Sequence, residues 1–251
     1  MKIALCFHGL IGAKFGKSME KKGHSNEVLE KCYEQFKKHI IDKNDVDVFF
    51  HTWDEKYEQQ LIEKYNPVSY KVQKQKVFED VVNGPTNTVQ AHYSKWYSVK
   101  ESNKLKMKYE KENNFEYDFV LSTRFDIYWT TDVIFSKFKK GIVYIPGVFR
   151  GKSIWGYPGD MQSRMIADHW FFGDNKVMND MSRLYDKMNV YMRHQGCPRG
   201  ARGINNHHLA LHHLKKLGLT PDKVKRAFNM VKGRANINKP NEFQLYRAFF
   251  V

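Results

Sequence analysis

An α/β fold with a mostly parallel central sheet flanked by helices is the architecture that this sequence predicts, and three observations carry the prediction. Short apolar runs rich in β-branched and aromatic residues alternate with amphipathic helical patterns through the first half of the chain. Those runs end in polar or charged residues, as strands do where they leave a sheet. No internal repeat, low-complexity tract or linker divides the chain, and its 251 residues, 41% hydrophobic and 15% aromatic, suffice for one large core.

The elements follow in order. Residues 2–7, "KIALCF", read as a buried first strand. Ser25 is a plausible N-cap for a helix over about 26–42, with Val28, Leu29, Cys32, Phe36 and Ile40 on one face. "VDVFFHTWD" (46–54) is the second strand, a helix follows near 55–65, and "PVSYKVQ" (67–73) is a short third strand. "NGPTN" (83–87) marks a turn before a long helical pattern over 88–113, whose face is read as Val89, Tyr93, Trp96, Tyr97, Lys100, Leu105 and Tyr109. "YDFVLSTRFDIYW" (117–129) is the fourth strand and "GIVYIP" (141–146) the fifth, with a Gly- and Pro-rich loop at "IWGYPGD" (154–160). "DHWFFGD" (168–174) is a short buried strand, and helices are expected over 175–194 and 204–217. From residue 220 the chain is basic without a clear period.

The formal net charge of +15 suits phosphorylated small molecules, anionic lipid or nucleic acid as partners. Much of that charge interleaves with an apolar stripe, as in residues 21–39, which is how solvated helix faces are built. No RRM, helix-turn-helix or zinc-finger pattern appears and the basic residues are spread along the chain, which argues against a nucleic-acid binder. Cys6, Cys32 and Cys197 lack the paired spacing of a disulfide framework or zinc site. The first residues read as a strand and not as a leader, and no apolar run approaches the length of a membrane span, so a cytoplasmic protein is expected.

In an open parallel sheet, ligands bind beyond the carboxyl ends of the strands. Here those ends carry His8 and Gly9, then His51, Thr52, Trp53 and Asp54, then Arg124, Phe125 and Asp126, with Asp168 at the start of the sixth strand. Aromatic, arginine and carboxylate together suit a phosphorylated, ring-bearing ligand: the aromatic stacks on a base, the guanidinium pairs phosphate oxygens, and a carboxylate holds a divalent ion. The plainer reading makes Trp53 and Phe125 core aromatics and the aspartates helix N-caps. "GLIGAKFGKS" (9–18) approaches a Walker A loop, since Gly16, Lys17 and Ser18 supply its last positions, but Ile11 stands where its first glycine belongs. A phosphoryl or sulfuryl transferase is therefore the alternative reading. "NNHHLALHHL" (205–214) sets His208 and His212 on one helical face, without the glutamate of a H-E-x-x-H zinc site.

"VDVFFHTWD", the stretch 93–129 ending in "YDFVLSTRFDIYW", "ADHWFFGDNKVMNDM" and "GINNHHLALHHLKKLGL" resemble, in order, a family of small GT-A-type glycosyltransferases of large DNA viruses, especially chloroviruses, and of some phages and bacteria. The most specific pieces are the HTW-D and YD-x-x-x-x-x-R-x-D strand ends. The resemblance implies a GT-A-like, Rossmann-related catalytic domain over 1–219; the tail lies outside it, and residues 220–251 are expected to be a helical, basic C-terminal extension packed on the same domain. It implies transfer of a sugar from a nucleotide-diphosphate donor, a UDP-sugar first, to a glycan or glycoprotein acceptor. His8, Gly9, Thr52, Trp53 and Asp54 would then lie near the base and ribose, and Lys100 and Lys104 near the diphosphate. Arg124-Phe125-Asp126 takes the place of the D-x-D motif, so Asp126 would hold Mn²⁺ or Mg²⁺ or the donor sugar, and Asp168 would be the general base near the acceptor; from the histidine-rich stretch itself, His208 or its neighbour His207, nearest the helix start, is the candidate last ligand of such a metal. The chain departs from the family pattern twice. Gly9-Leu10-Ile11 lacks the arginine that often follows the first-strand glycine, leaving Lys14 or Lys17 to replace it, and the first acid of D-x-D is Arg124, a cation that weakens the pull on a metal.

Overall fold

The computed structural model describes residues 1–11, 24–78, 86–146, 166–193, 205–228 and 242–245. The first strand, β1 (Lys2–Gly9), sends Ile3, Leu5 and Phe7 to one face of the sheet and Ala4, Cys6 and His8 to the other, as the period of two requires. Both faces are covered, which is why the strand reads as a continuous apolar run. On one side lie α1 (His24–His39), through Leu29, Cys32 and Phe36, and α2 (Glu58–Tyr65), through Leu61 and Tyr65. On the other lie α3 (Thr86–Asn113), α4 (Asn175–Ser182), α5 (Leu184–Arg193) and α6 (Asn206–Lys216), contributing Trp96, Met181, Met188 and Leu209 to a second core. Trp96 is fully buried; removing such a side chain costs about 3–5 kcal/mol.

The remaining strands are β2 (Asp45–Thr52), β3 (Ser69–Val72), β4 (Phe119–Arg124), β5 (Ile127–Trp129), β6 (Val143–Ile145), β7 (Trp170–Gly173), β8 (Val224–Arg226) and β9 (Phe243–Leu245). Seven of them form one sheet in the order β3-β2-β1-β4-β7-β6-β8. β1 pairs in parallel with β2 and β4, β2 with β3, and β6 with β8, while β7 runs antiparallel to both β4 and β6. The fold is thus α/β with a mostly parallel, mixed sheet between helices. The order reverses at β1, because β2 and β3 lie on one side of it and β4 on the other, so the β1/β4 boundary is the topological switch point.

Several elements differ from the sequence reading. The stretch 117–129 is two strands in different sheets: β4 stops at Arg124, the chain turns at Phe125-Asp126, and β5 pairs with β9. The expected helix over 175–194 is two helices, α4 ending at the Arg183 cap whose N–H returns to Asp180 and Met181 carbonyls. The described part of the 220–251 extension, expected to be helical, has one 3-10 turn at Pro221–Lys223 and otherwise supplies β8 to the main sheet and β9 to the two-stranded one. The buried face of α3 is also rotated from the one expected. It carries Lys95, Trp96, Ser98, Val99, Ser102, Asn103, Lys106 and Glu110, because polar residues on this face find partners inside: Lys106 Nζ meets Glu110 at 2.7 Å and Asn175, and Asn103 meets Ser182 at 3.0 Å. The Ser25 cap, the 154–160 loop and most of the 83–87 turn lie outside the residues whose side chains or backbone are described. No helix among the described residues is long and apolar enough to cross a membrane.

Gly173 closes β7 against β6 and α4, where an added Cβ would sit 3.0 Å from the Ile142 carbonyl oxygen and 2.8 Å from a Val177 methyl. Backbone cannot yield as a side-chain tip does, so Gly173→Ala is expected to lower unfolding free energy by about 1–3 kcal/mol. Urea denaturation of the variant checks it; an unchanged midpoint would contradict this packing.

Candidate functional site

At the switch point the carboxyl ends of β1, β2 and β4 converge under α3. Ser98 of α3 joins two of them: its Oγ accepts from Gly9 N–H at 2.8 Å and lies 2.7 Å from His51 Nδ1. Gly9 has φ +93°, the left-handed region that favours glycine, and this lets the chain leave β1 sharply. Thr52 Oγ1 donates to the Gly9 carbonyl at 2.9 Å and accepts from Asp54 N–H at 3.1 Å, while Asp54 Oδ2 accepts from Ile11 N–H at 2.5 Å. Thr52 and Asp54 therefore latch the exit of β1 to the exit of β2. Asp54 makes no side-chain cap to the 3-10 turn after it. Trp53, 5% exposed, stacks on Tyr97 at 5.4 Å and meets the His51 ring edge-on at 4.6 Å.

Arg124 leaves β4 and doubles back on the turn that it begins. Its Nε and Nη2 donate to the two oxygens of Asp126 at 2.8 and 2.5 Å, a bidentate fork with Asp126 fully buried. Phe125, between them, points into the core and stacks on Phe7 at 4.9 Å. Because β7 runs opposite to β4, its entry, not its exit, lies at this edge: Thr123 pairs with Trp170, and Asp168 and His169 arrive beside the end of β4. There Asp168 Oδ2 takes Lys95 of α3, whose Nζ also donates to the Asp168 carbonyl at 2.5 Å, and Asp168 Oδ1 takes His207 Nδ1 of α6 at 2.9 Å.

The electrostatics follow from this crowding. Burial raises the Asp168 carboxyl, but Lys95 and His207 outweigh it and hold the group well below the usual carboxylate range. Burial, with Lys95 and Arg124 close by, holds His8 well below the usual imidazole range. Burial pushes His51 down to about 4 and His169 down to about 3. His8 and His169 are thus neutral imidazoles beside the cations Lys95 and Arg124, and His51 is a third, beside Lys71 and Lys76.

Of the residues expected from sequence, His8, Gly9, Thr52, Trp53, Asp54, Arg124, Asp126 and Asp168 come to one edge of the sheet. Lys100 and Lys104 do not join them. They lie roughly 7 and 13 Å farther along α3 than Lys95, at about 1.5 Å per residue, and off its buried face; Lys100 pairs with Asp186 of α5 and Lys104 is exposed. Lys95 is the lysine that α3 brings to the site, and sequence reading passed it over because its face of the helix is partly polar. Ser98 and His169 were likewise not singled out, while His51 was read only as a strand-end residue and His207 only as an alternative metal ligand beside His208, at the start of the helix that Asn205 caps by accepting from His208 N–H at 3.0 Å. Lys14, Lys17 and Ser18 lie outside the described residues.

The strand-end donors do not fit a divalent cation. Both Asp126 oxygens sit in the Arg124 fork, so an ion there would have to displace a guanidinium, and both Asp168 oxygens are held by Lys95 and His207. Among the described residues no group of three or more His, Cys, Asp or Glu side chains is arranged to hold a metal ion. His208, the expected partner of Asp126, is buried in α6, and His212 and His213 pack on Tyr191, whose hydroxyl lies 2.9 Å from His213 Nδ1.

No protein-family model matches the chain, and no curated protein matches it in sequence.

Histidines whose pKa falls on folding bind more protons when unfolded, so stability rises with pH between the folded and unfolded values. For His51 and His169 that window runs from about 4 and about 3 up to the ordinary value near 6.5. Stability is expected to fall by about 1.4 kcal/mol per histidine for each pH unit lost within it, and Asp168, held low, adds a further loss in stronger acid. Urea titrations from pH 7 to pH 4.5 measure the slope, and His169→Gln should flatten it; equal slopes would contradict a buried neutral His169.

Proposed function

We propose that this chain is a GT-A-like glycosyltransferase, moving a sugar from a nucleotide-diphosphate donor to a hydroxyl of a glycan or glycoconjugate. The observation that carries the reading is the meeting of Lys95 and Arg124 with Asp126 and Asp168 at the carboxyl edge of a sheet, next to its switch point. Ligands of open α/β sheets bind at that place. Glycosyl transfer passes through an oxocarbenium-like state while a nucleoside diphosphate departs. Lys95 and Arg124 supply fixed positive charge for the leaving phosphates, and Asp168 and Asp126 hold those two cations in place. The Trp53–Tyr97 stack at the β2 exit offers an aromatic edge for the base. The resemblance of the HTW-D and YD-x-x-x-x-x-R-x-D strand ends to viral, phage and bacterial enzymes supports the same reading.

Mn²⁺ and Mg²⁺ were implied by that resemblance, but the donor set does not fit them, and in this proposal the charge of the leaving group is met by Lys95 and Arg124. The test is thermal-shift titration with UDP, GDP, ADP, ATP and 3′-phosphoadenosine 5′-phosphate, each with Mn²⁺ or with EDTA. UDP or GDP is expected to stabilise the fold by about 2.7 kcal/mol at a hundredfold excess over its Kd. EDTA should leave the shift in place, and Arg124→Ala should remove it. A shift with ATP or the phosphoadenosine alone would overturn the reading in favour of the phosphoryl or sulfuryl transferase. A UDP shift that EDTA abolishes would restore the metal.

A further inference from the structure

Lys95 and Arg124 are each matched by a carboxylate, Asp168 and Asp126, so the two pairs bring no net charge to the edge of the sheet. A nucleotide-diphosphate sugar carries a negative charge on each phosphate, and bringing charge into a buried place is costly unless an opposite charge meets it. The strand-end donors do not fit a divalent cation, so another group must supply the balance. Among the described residues at this edge, the buried neutral groups that can gain a positive charge are His8, His51 and His169. The sheet singles out His8. It pairs with His51 of β2 on one side and with Arg124 of β4 on the other, and the period of two sets all three on the face that α3 covers. His51 is tied through Nδ1 to Ser98 at 2.7 Å. The ring of His8 is hydrogen-bonded to none of the described residues, although the residue is only 2% exposed; buried polar groups are rarely left so. Arg124 is only partly used. The Asp126 fork takes its Nε–H and one Nη2–H and fixes the guanidinium, while the Nη1 protons have no acceptor among the described residues. A fixed guanidinium edge one strand spacing from an unpartnered imidazole suits a tetrahedral anion.

We infer that His8 and the open edge of Arg124 form the receptor for a phosphate of the donor, and that His8 takes up a proton from solvent when that phosphate binds. The inference rests on the glycosyl-transfer reading, and it moves His8 from the base and ribose, where the resemblance puts it, to the diphosphate. In the empty site burial is the largest influence on His8 and keeps the ring neutral. Lys95 from α3, Arg124 from β4 and His51 from β2 act in the same direction, and Asp168 at the entry of β7 opposes them. A phosphate held by Arg124 adds negative charge beside the same ring and favours its protonated form. The sign of the linkage follows. A group that titrates at higher pH in the complex than in the empty site makes binding tighter as pH falls through its value in the complex, and the gain is complete below its value in the empty site.

The test is calorimetric titration of the full chain with UDP-glucose and GDP-mannose, which carry no group that titrates near neutrality. Each is run in buffers of equal pH and different ionisation enthalpy, so that the heat reports protons drawn from the buffer. At pH 6 binding should draw about one proton, and Kd should fall by up to about tenfold for each pH unit between pH 8 and pH 6. His8→Gln keeps a side-chain N–H without a titratable group. It should bind with one affinity across that range and draw no proton, and its melting curve shows whether it folds. Imidazole ¹⁵N NMR of the wild-type chain reads the same proton without a substitution. His8 should be neutral in the empty site and protonated at pH 6 with either sugar nucleotide, or with UDP or GDP, bound. Binding without proton uptake, uptake that persists in folded His8→Gln, or a His8 ring that stays neutral in the complex would overturn the role of His8 and leave the glycosyl reading standing. A chain that binds neither sugar nucleotide and neither UDP nor GDP would overturn the glycosyl reading, and this inference with it.

Discussion

The ion pair between Lys95 and Asp168 is the contact on which the rest of the site depends. It ties α3 to the entry of β7, which runs against its neighbours β4 and β6, across the edge where β1 and β4 separate. Removing either partner of such a buried pair strands a charge, at a cost of about 3–5 kcal/mol. The pair also sets the states of its neighbours. It keeps Asp168 ionised, and the carboxylate in turn holds the His207 N–H. Lys95 helps to keep His8 and His169 neutral.

A second ion pair on α3 shows what distinguishes a site from a strut. Lys106 and Glu110, one helical turn apart at 2.7 Å, are buried with Asn175 beneath β1, and Glu110 also accepts from the Tyr117 N–H at 3.0 Å. Every one of those atoms serves the packing of α3 on β4 and α4. A shallow groove of about 450 Å³ opens beside this network, at the opposite end of the sheet from Lys95, and is lined by Met107, Lys111, Phe115 and Asn179 among others. At the carboxyl edge, by contrast, the network ends in groups that still reach the surface, the Arg124 side chain at 16% and His207 at 23% exposure.

The Arg124–Asp126 fork directs the turn after β4 and occupies both Asp126 oxygens with one interaction. A carboxylate in the first position of that motif would leave Asp126 facing another acid, a pair that needs a positive ion between them. Arginine supplies the charge from within the chain, directs the turn that separates β4 from β5, and lets Phe125 fall into the core.

The sequence by itself determined the α/β class, the strands at 2–9, 45–52 and 119–124 to within a few residues, and the residue types at their carboxyl ends, because apolar runs and their polar boundaries are local properties of the chain. His8, Gly9, Thr52, Asp54, Arg124 and Asp126 were legible for that reason. Only the tertiary structure decided the direction of β7, since a short apolar strand reads alike either way, and that direction is what carries Asp168 to the carboxyl edge. Only the tertiary structure decided that Lys95, and not Lys100 or Lys104, faces the site, because the buried face of α3 is partly polar and its periodicity is hidden until Ser98, Asn103 and Lys106 find their partners. The same holds for His207, which meets Asp168 across 39 positions of chain, a distance that no local pattern spans.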